Sequence, residues 1–271
     1  MNRERDYVLG THDEEIERLG LQHRVWRPRA LEAWRNAGFT TGQTIADIGC
    51  GPGYASIDLA EIAGPNGRVV AIDRSRRFLD ALESSAAQRG LHNIDVFEAD
   101  LDEDALPELK VDGVWVRWVF AFMKHPQELL AKVIRLLKPG GTIVIHEYFN
   151  YATWGFAPRS EVFETFVTAV MKSWREGGGE PDIGLMLPQW LGEYGLKIHS
   201  VRPIVDVITP RSFVWQWPKT FVAVGVNRLV DIGRITADEA RAIHDAFAER
   251  ERAAHTLMIT PAVLEIIARA E

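Results

Sequence analysis

The sequence predicts an α/β fold: a doubly wound, mostly parallel sheet, preceded by N-terminal helices and followed by a helical cap. Three observations predict it. Short apolar runs alternate with helical patterns between residues 44 and 148, the spacing of a parallel sheet covered on both faces. A glycine-rich turn, Gly49-Cys50-Gly51-Pro52-Gly53, joins the first such run to a helix. After Tyr148 the alternation gives way to aromatic-rich helical sequence.

Each element has its own signal. Residues 14–27 place Ile16, Leu19 and Trp26 on one helical side, and Pro28 interrupts that helix. A second helical stretch carries Leu31 and Trp34 and stops at Gly38. TIADIGC (44–50), GRVVAID (67–73), IDVFEAD (94–100), VDGVWVRWVF (111–120) and GGTIVIHEY (140–148) read as strands. SIDLAEIA (56–63), FLDALESSAAQRG (78–90) and PQELLAKVIRLLK (126–138) read as the helices between them. Residues 151–180, with Tyr151, Trp154, Phe156, Phe163, Phe166 and Trp174, form an inserted helical segment ending at Gly177-Gly178-Gly179. Next come a helix at 187–195, a strand at 196–208 and helices at 211–230 and 236–254. The terminal VLEIIARA suits a strand or a helix equally, because periodicity does not separate them over so short a run. The resulting division is a helical lid at 1–37, an α/β core at 38–150, a cap segment at 151–187, and the rest of the core at 188–271 with helices inserted at 211–254.

Composition narrows the function. The formal net charge is −7 over 271 residues, which disfavours a general electrostatic grip on nucleic acid. The sole cysteine, Cys50, excludes an intramolecular disulfide and fits a reducing, cytoplasmic setting. Inside the glycine turn it reads as a packing residue. No apolar run approaches the roughly 20 residues of a membrane helix. No Cys/His cluster has zinc-site spacing, so no metal is expected.

The glycine turn can hold a ligand closely, and the following helix start offers free N–H donors. A dinucleotide fingerprint would place its third glycine at position 54, which is Tyr54; here it comes one residue early, at Gly53. A nicotinamide-dependent oxidoreductase is therefore disfavoured. Asp47, just before the turn, would repel phosphates. It either accepts from a ligand ammonium or braces the turn. Asp73 closes the second strand, where a carboxylate can take a ribose diol. Asp100 closes the third, within reach of an adenine amino group.

DIGCGPG, AIDRS, EADL, VRWVFAFMKHP and LLKPGGTIVI, in this order and spacing, resemble the motifs of class I S-adenosylmethionine-dependent methyltransferases, a Rossmann-like family. The resemblance covers roughly residues 40–148. It implies S-adenosylmethionine as cofactor and methyl transfer to a small acceptor. Gly49, Gly51 and Gly53 would hold the methionine portion, with Asp47 near its amino group. Asp73 would bind the ribose, Arg74 flank the adenine, and Asp100 and the Leu101 amide read it. Arg117, through its carbonyl, and Trp118 would line the methionine end. The resemblance also folds the N-terminal helix over the cofactor, making Tyr7, Gln22, His23 and Trp26 candidates for contact. The family often carries a His or an acid just past the fourth strand. Here Ala121-Phe122-Met123 stands there, and His125 precedes Pro126 at the start of a helix.

Alignment of nucleophile, methyl and sulfur supplies most of the catalysis in such a transfer, about 7–11 kcal/mol. Where a base is needed, His146 and Glu147 at the tip of the fifth strand are the candidates, with His146 suited to neutral pH, and Tyr7 is a third catalytic candidate. Tyr148, Trp154, Phe122 and Trp215 are expected to line an aromatic or apolar acceptor. The other reading of these aromatics is the core of the cap. A non-methylating member of the fold, a cyclase or a binding module, is the alternative function. The helices at 211–254 could form a homodimer face.

Overall fold

The computed structural model describes residues 13–271, so Tyr7 lies outside the described residues. In chain order the elements are α1 (Asp13–Ala37), β1 (Thr44–Ile48), α2 (Tyr54–Ala63), β2 (Arg68–Asp73), α3 (Arg76–Gln88), β3 (Ile94–Glu98), β4 (Val111–Arg117), α4 (Pro126–Ile134) and β5 (Leu137–Asn150). There follow β6 (Gly155–Ala157), α5 (Glu161–Glu176), α6 (Leu187–Glu193), β7 (Leu196–Ile204), β8 (Val207–Ile208), α7 (Gln216–Asp231), α8 (Ala237–Arg252), β9 (Leu257–Ile259) and β10 (Ala262–Ala270).

Seven strands form the main sheet in the order β3-β2-β1-β4-β5-β10-β7. β1 to β5 pair in parallel, and β10 lies antiparallel to both β5 and β7. The fold is α/β and Rossmann-like, as the alternation of elements predicts. Strand order reverses between β1 and β4, so a ligand crevice opens at their carboxyl ends. The strands form because apolar residues run unbroken along them. Ile45, Ile48, Val69, Ile72, Val114, Val116, Ile143 and Ile145 are all buried.

Two expectations are corrected. Pro28 does not break the N-terminal helix: α1 is one helix of 25 residues with Pro28 inside it. An interior proline costs about 3 kcal/mol. Burial of Trp26, Ala30, Ala33 and Trp34 on the same helix offsets that cost. Trp34 packs edge-on against Trp115 of β4, with ring centroids 5.2 Å apart. The run at 196–208 is two strands in two sheets, not one. The chain leaves the main sheet at Val205-Asp206, where the Asp206 amide donates to Thr260 Oγ1 (3.0 Å) and Arg29 pairs with the Asp206 carboxylate. β8 then joins β9 and β6 in a small sheet that the sequence reading missed. The open question at 263–270 resolves as β10, an interior strand between β5 and β7.

Two cores result. One lies between the main sheet and its helices. The other is an aromatic core in which Tyr148, Tyr151, Trp154, Phe163, Phe166, Trp215 and Phe247 pack beneath α5, α7 and α8.

Candidate active site

The glycine loop sits at the carboxyl end of β1. Gly49, Gly51 and Gly53 all have left-handed backbone, with φ of 67°, 55° and 77°, a region that L side chains enter at a cost. Their surroundings differ. A Cβ on Gly49 would collide with Val119, and one on Gly53 with Leu82, while a Cβ on Gly51 would project into open space. Gly51 is thus the glycine whose missing side chain leaves room for a ligand.

Asp73, at the end of β2, faces this loop. Its carboxylate accepts from the Gly51 amide (2.8 Å) and the Ser75 amide (2.9 Å). The Ala99 amide donates to the Asp73 carbonyl (3.0 Å) and ties in the end of β3. Beyond it, Asp100 accepts from the Asp102 amide (3.1 Å). Buried Leu101 has its carbonyl held by Lys132 Nζ (3.1 Å). Arg74 is half-buried beside Asp73.

Asp47 is buried and accepts from Ser56 Oγ at 2.6 Å. Burial pushes its carboxyl up to about 6, against the pull of the Ser56 hydrogen bond and of Arg117. Arg117, the last residue of β4, is pushed down to about 10 by its own burial. Its Nη2 donates to His23 Nδ1 at 3.3 Å. An arginine only donates, so Nδ1 is the acceptor. The hydrogen on Nε2 then points to Asp58, 3.0 Å away, which also accepts from Arg27 (2.8 Å). Burial lowers the His23 pKa, which favours this neutral form. The sequence reading missed Asp58; a carboxylate inside the apolar run SIDLAEIA was its one signal. Arg117 Nη1 and Trp118 Nε1 are buried without a hydrogen-bond partner among the described residues.

Trp118 has φ of 53°, unusual for a residue with a side chain. The turn is held by its amide, which donates to the His146 carbonyl (2.9 Å), and by its ring. That ring lies nearly parallel to Tyr148 and to Trp217, each 5.5 Å away, and meets Trp26 of α1 edge-on at 4.9 Å. Gln22 stands on α1 one turn before Trp26 and accepts from Arg18 Nη1 (3.0 Å). Arg18 is buried and also holds Glu15 through two bonds of 2.6 Å.

The two expected bases at the tip of β5 lie deeper than the sequence suggests. His146 is fully buried, its ring against Trp26 and Trp115 and its Nε2 3.1 Å from Glu265 of β10. Burial lowers its pKa. Glu147, also fully buried, accepts from the amides of Val119 (2.6 Å) and Phe120 (2.7 Å). Burial pushes it up to about 8. Both side chains therefore brace the sheet and the loop after β4. Neither opens on a crevice.

The expected acceptor residues divide. Phe122 and Tyr148 meet through Trp174, with centroids 4.7 Å and 6.0 Å from it. Trp154 and Trp215 instead belong to the cap core. Trp154 Nε1 points to Met258 Sδ (3.4 Å) and its ring packs on Phe163 and Phe166; Trp215 Nε1 donates to Glu251 (3.0 Å). A cavity of about 340 Å³ opens between the loop after β4 and the cap, lined among others by Phe122, Trp174 and Phe221. The loop at 177–179 seals one side: the Glu180 amide donates to the Ala121 carbonyl (3.0 Å), and a Cβ on Gly179 would collide with that oxygen. No group of three or more His, Cys, Asp and Glu suited to a metal occurs among the described residues.

Comparison with known proteins agrees with this geometry. A family profile described as a methyltransferase domain matches residues 45–141. The ubiquinone/menaquinone biosynthesis C-methyltransferase UbiE of Pseudomonas fluorescens (strain SBW25) is 27% identical over 196 residues, 72% of this chain and 71% of its own length. The UbiE of Pseudomonas entomophila (strain L48) is 28% identical over 130 residues, 48% of this chain and 50% of its own. The chain thus spans about half the length of that relative. Residues 45–141 thus match a methyltransferase domain, and the findings support a class I S-adenosylmethionine-dependent methyltransferase.

Solved structures share the fold at low identity. An S-adenosylmethionine-dependent methyltransferase from Mesorhizobium loti superposes with a TM-score of 0.54 at 19% identity, covering 92% of this chain and 99% of its own. Coclaurine N-methyltransferase, bound to N-methylheliamine and S-adenosylhomocysteine, gives 0.57 at 16%, covering 89% and 69%. The [4+2]-cyclase SpnF gives 0.54 at 18%, covering 90% and 80%. The cofactor of this methyltransferase is S-adenosylmethionine, and the open space beside Gly51 and the orphaned Arg117 donor fit its amino-acid end.

Proposed function

We propose that this methyltransferase acts on a small aromatic acceptor seated between the loop after β4 and the helical cap. The cavity walled by Phe122, Trp174 and Phe221 carries the reading. Its Trp174 wall meets Tyr148 (6.0 Å), whose ring stacks on Trp118 just after β4, which supports an acceptor approaching from the β4 side of the site. S-adenosylmethionine supplies the methyl group as a sulfonium, a cation that aromatic faces favour.

The chain's own residues bind and orient. Gly49, Gly51 and Gly53 let the backbone approach the methionine portion. Arg117 Nη1 offers a donor to its carboxylate, and Asp47 an acceptor to its ammonium. Asp73 takes the ribose hydroxyls, and Asp100, Leu101 and Arg74 surround the adenine. Trp26, Gln22 and His23 close the site from α1. Aromatic walls exclude water and align the acceptor, the main source of rate in a displacement of this kind.

The curated relatives are named C-methyltransferases, which supports carbon as the acceptor atom. With His146 and Glu147 turned inward, an electron-rich aromatic carbon that is already nucleophilic suits the site. No helix among the described residues is long and apolar enough to cross a membrane, and the lone Cys50 supports a cytoplasmic location.

The test is transfer of labelled methyl from S-adenosylmethionine to matched phenols, hydroquinones and aryl amines, with product analysis by NMR. Ring methylation of a phenol or hydroquinone is expected. Label appearing only on amines or aliphatic substrates would sink the reading.

A further inference from the structure

We propose that the acceptor cavity recognises an aromatic carboxylate, with Arg228 of α7 as the carboxylate's partner. The proposal rests on the small-aromatic-acceptor reading above and names the acceptor's charge.

The cavity has three charged lining residues: Glu176, Arg228 and Arg234. Arg234 pairs with Glu176. Two arginines less one glutamate leave a net +1 on the wall, in a chain whose net charge is −7. That surplus is Arg228, whose guanidinium has no hydrogen bond or ion pair with any described residue, although the side chain is only half-exposed. A cation near the end of a helix has a simpler use, complementing the helix dipole for about 0.3–1 kcal/mol. That use is met equally well from the solvent side and does not need the cation on a cavity wall.

The rest of the wall fits a flat apolar body. Phe122 meets Trp174 edge-on at 4.7 Å, and Trp174 meets Phe221 at 6.3 Å. On α7 Gly225, one turn after Phe221, also lines the cavity, and a Cβ there would press on the Phe221 ring at 3.1 Å. This glycine keeps the wall low beside the ring. A volume of about 340 Å³ suits one or two fused rings. Guanidinium is planar and binds carboxylate through two parallel hydrogen bonds. Aromatic walls with one guanidinium unpaired among the described residues therefore select an aromatic acid over its neutral amide.

The test is calorimetry on the full chain saturated with S-adenosylhomocysteine, at low salt. The probes are 1-naphthoate, the isosteric 1-naphthamide and 1-naphthyl phosphate. The wild type is expected to bind naphthoate at least tenfold more tightly than naphthamide. Arg228→Gln is expected to reduce this ratio below twofold while leaving naphthamide and S-adenosylhomocysteine affinities unchanged. Arg228→Lys is expected to restore part of the ratio. Equal affinities for acid and amide in the wild type would overturn the proposal, as would a ratio that survives in Arg228→Gln. Naphthyl phosphate outcompeting naphthoate through Arg228 would overturn the carboxylate assignment. The two readings fail separately. Ring methylation of neutral aromatics without any acid preference removes only this inference. Arg228-dependent naphthoate binding by a chain that methylates no aromatic removes only the reading above.

Discussion

Around Gly49–Gly53 the site is shaped by backbone amides and one carboxylate. The cap is shaped by side chains from segments as far apart as Phe156, Trp215 and Phe247. In the first region, position along the chain sets position in space. The loop follows β1 directly, and Asp73 reaches Gly51 because β2 pairs with β1 in parallel register. In the second, β6, β8 and β9 are three residues, two residues and three residues long, and they hold together only because the aromatic core beneath them is filled. Ligand geometry can therefore stay constant in one region while packing in the other sets the shape of the proposed acceptor space.

The largest effect should come from breaking the cap alone. Trp154→Ala is expected to cost about 3–5 kcal/mol of stability, read by chemical denaturation. Affinity for S-adenosylmethionine should stay within about twofold of wild type. If cofactor binding collapsed with stability, the two regions would be one cooperative unit and the contrast would fail. Next, Asp73→Ala removes the acceptor for the Gly51 and Ser75 amides and the proposed ribose contact. Calorimetry should show a loss of about 100-fold in S-adenosylmethionine affinity, as expected for charged hydrogen bonds of about 1.5–3 kcal/mol.

Smaller effects sharpen the comparison within the glycine loop. Gly51→Ala and Gly53→Ala both place a side chain in left-handed backbone, at about 1–2 kcal/mol. The Gly53 variant also forces Leu82 aside, so its Tm should fall further. The Gly51 variant should keep more stability yet lose more cofactor affinity, because its Cβ enters the open space. A reversed order would show that Gly51 does not border the ligand.

The last predicted effect is a pH slope. Glu147 is held at about 8 against an ordinary 4.5 by burial. Its folded pKa lies above its unfolded one, so the unfolded chain ionises first as pH rises. Stability is complete below about 4.5 and declines as pH climbs towards 8. Glu147→Gln keeps an acceptor for the Val119 and Phe120 amides and should flatten that decline in denaturation curves. An unchanged slope would place the raised ionisation elsewhere.

Much of the sheet was legible because buried parallel strands are continuous apolar runs and turns need glycine at fixed places. The loop's ligand preference was legible from Tyr54 standing where a dinucleotide loop needs glycine. The roles of His146 and Glu147 were not. Alternation along a strand says that neighbours face opposite ways, but not that α1 covers one and the loop after β4 folds back onto the other. Pro28 misled for a related reason: local propensity registers its cost but not the offsetting burial of Trp26 and Trp34.

By itself, then, the sequence determined the alternation of strands and helices from β1 to β5, the glycine turn and the three acids at strand ends, since each depends on residues close together along the chain. Tertiary structure decided what lies opposite. It turned the two strand-tip bases inward, put Trp154 and Trp215 in the cap core, joined His23 to Arg117 and Asp58, and left Arg228 on a cavity wall without a partner among the described residues. Those outcomes depend on which side chains meet across long sequence separations, and packing resolves that only once the whole chain is folded.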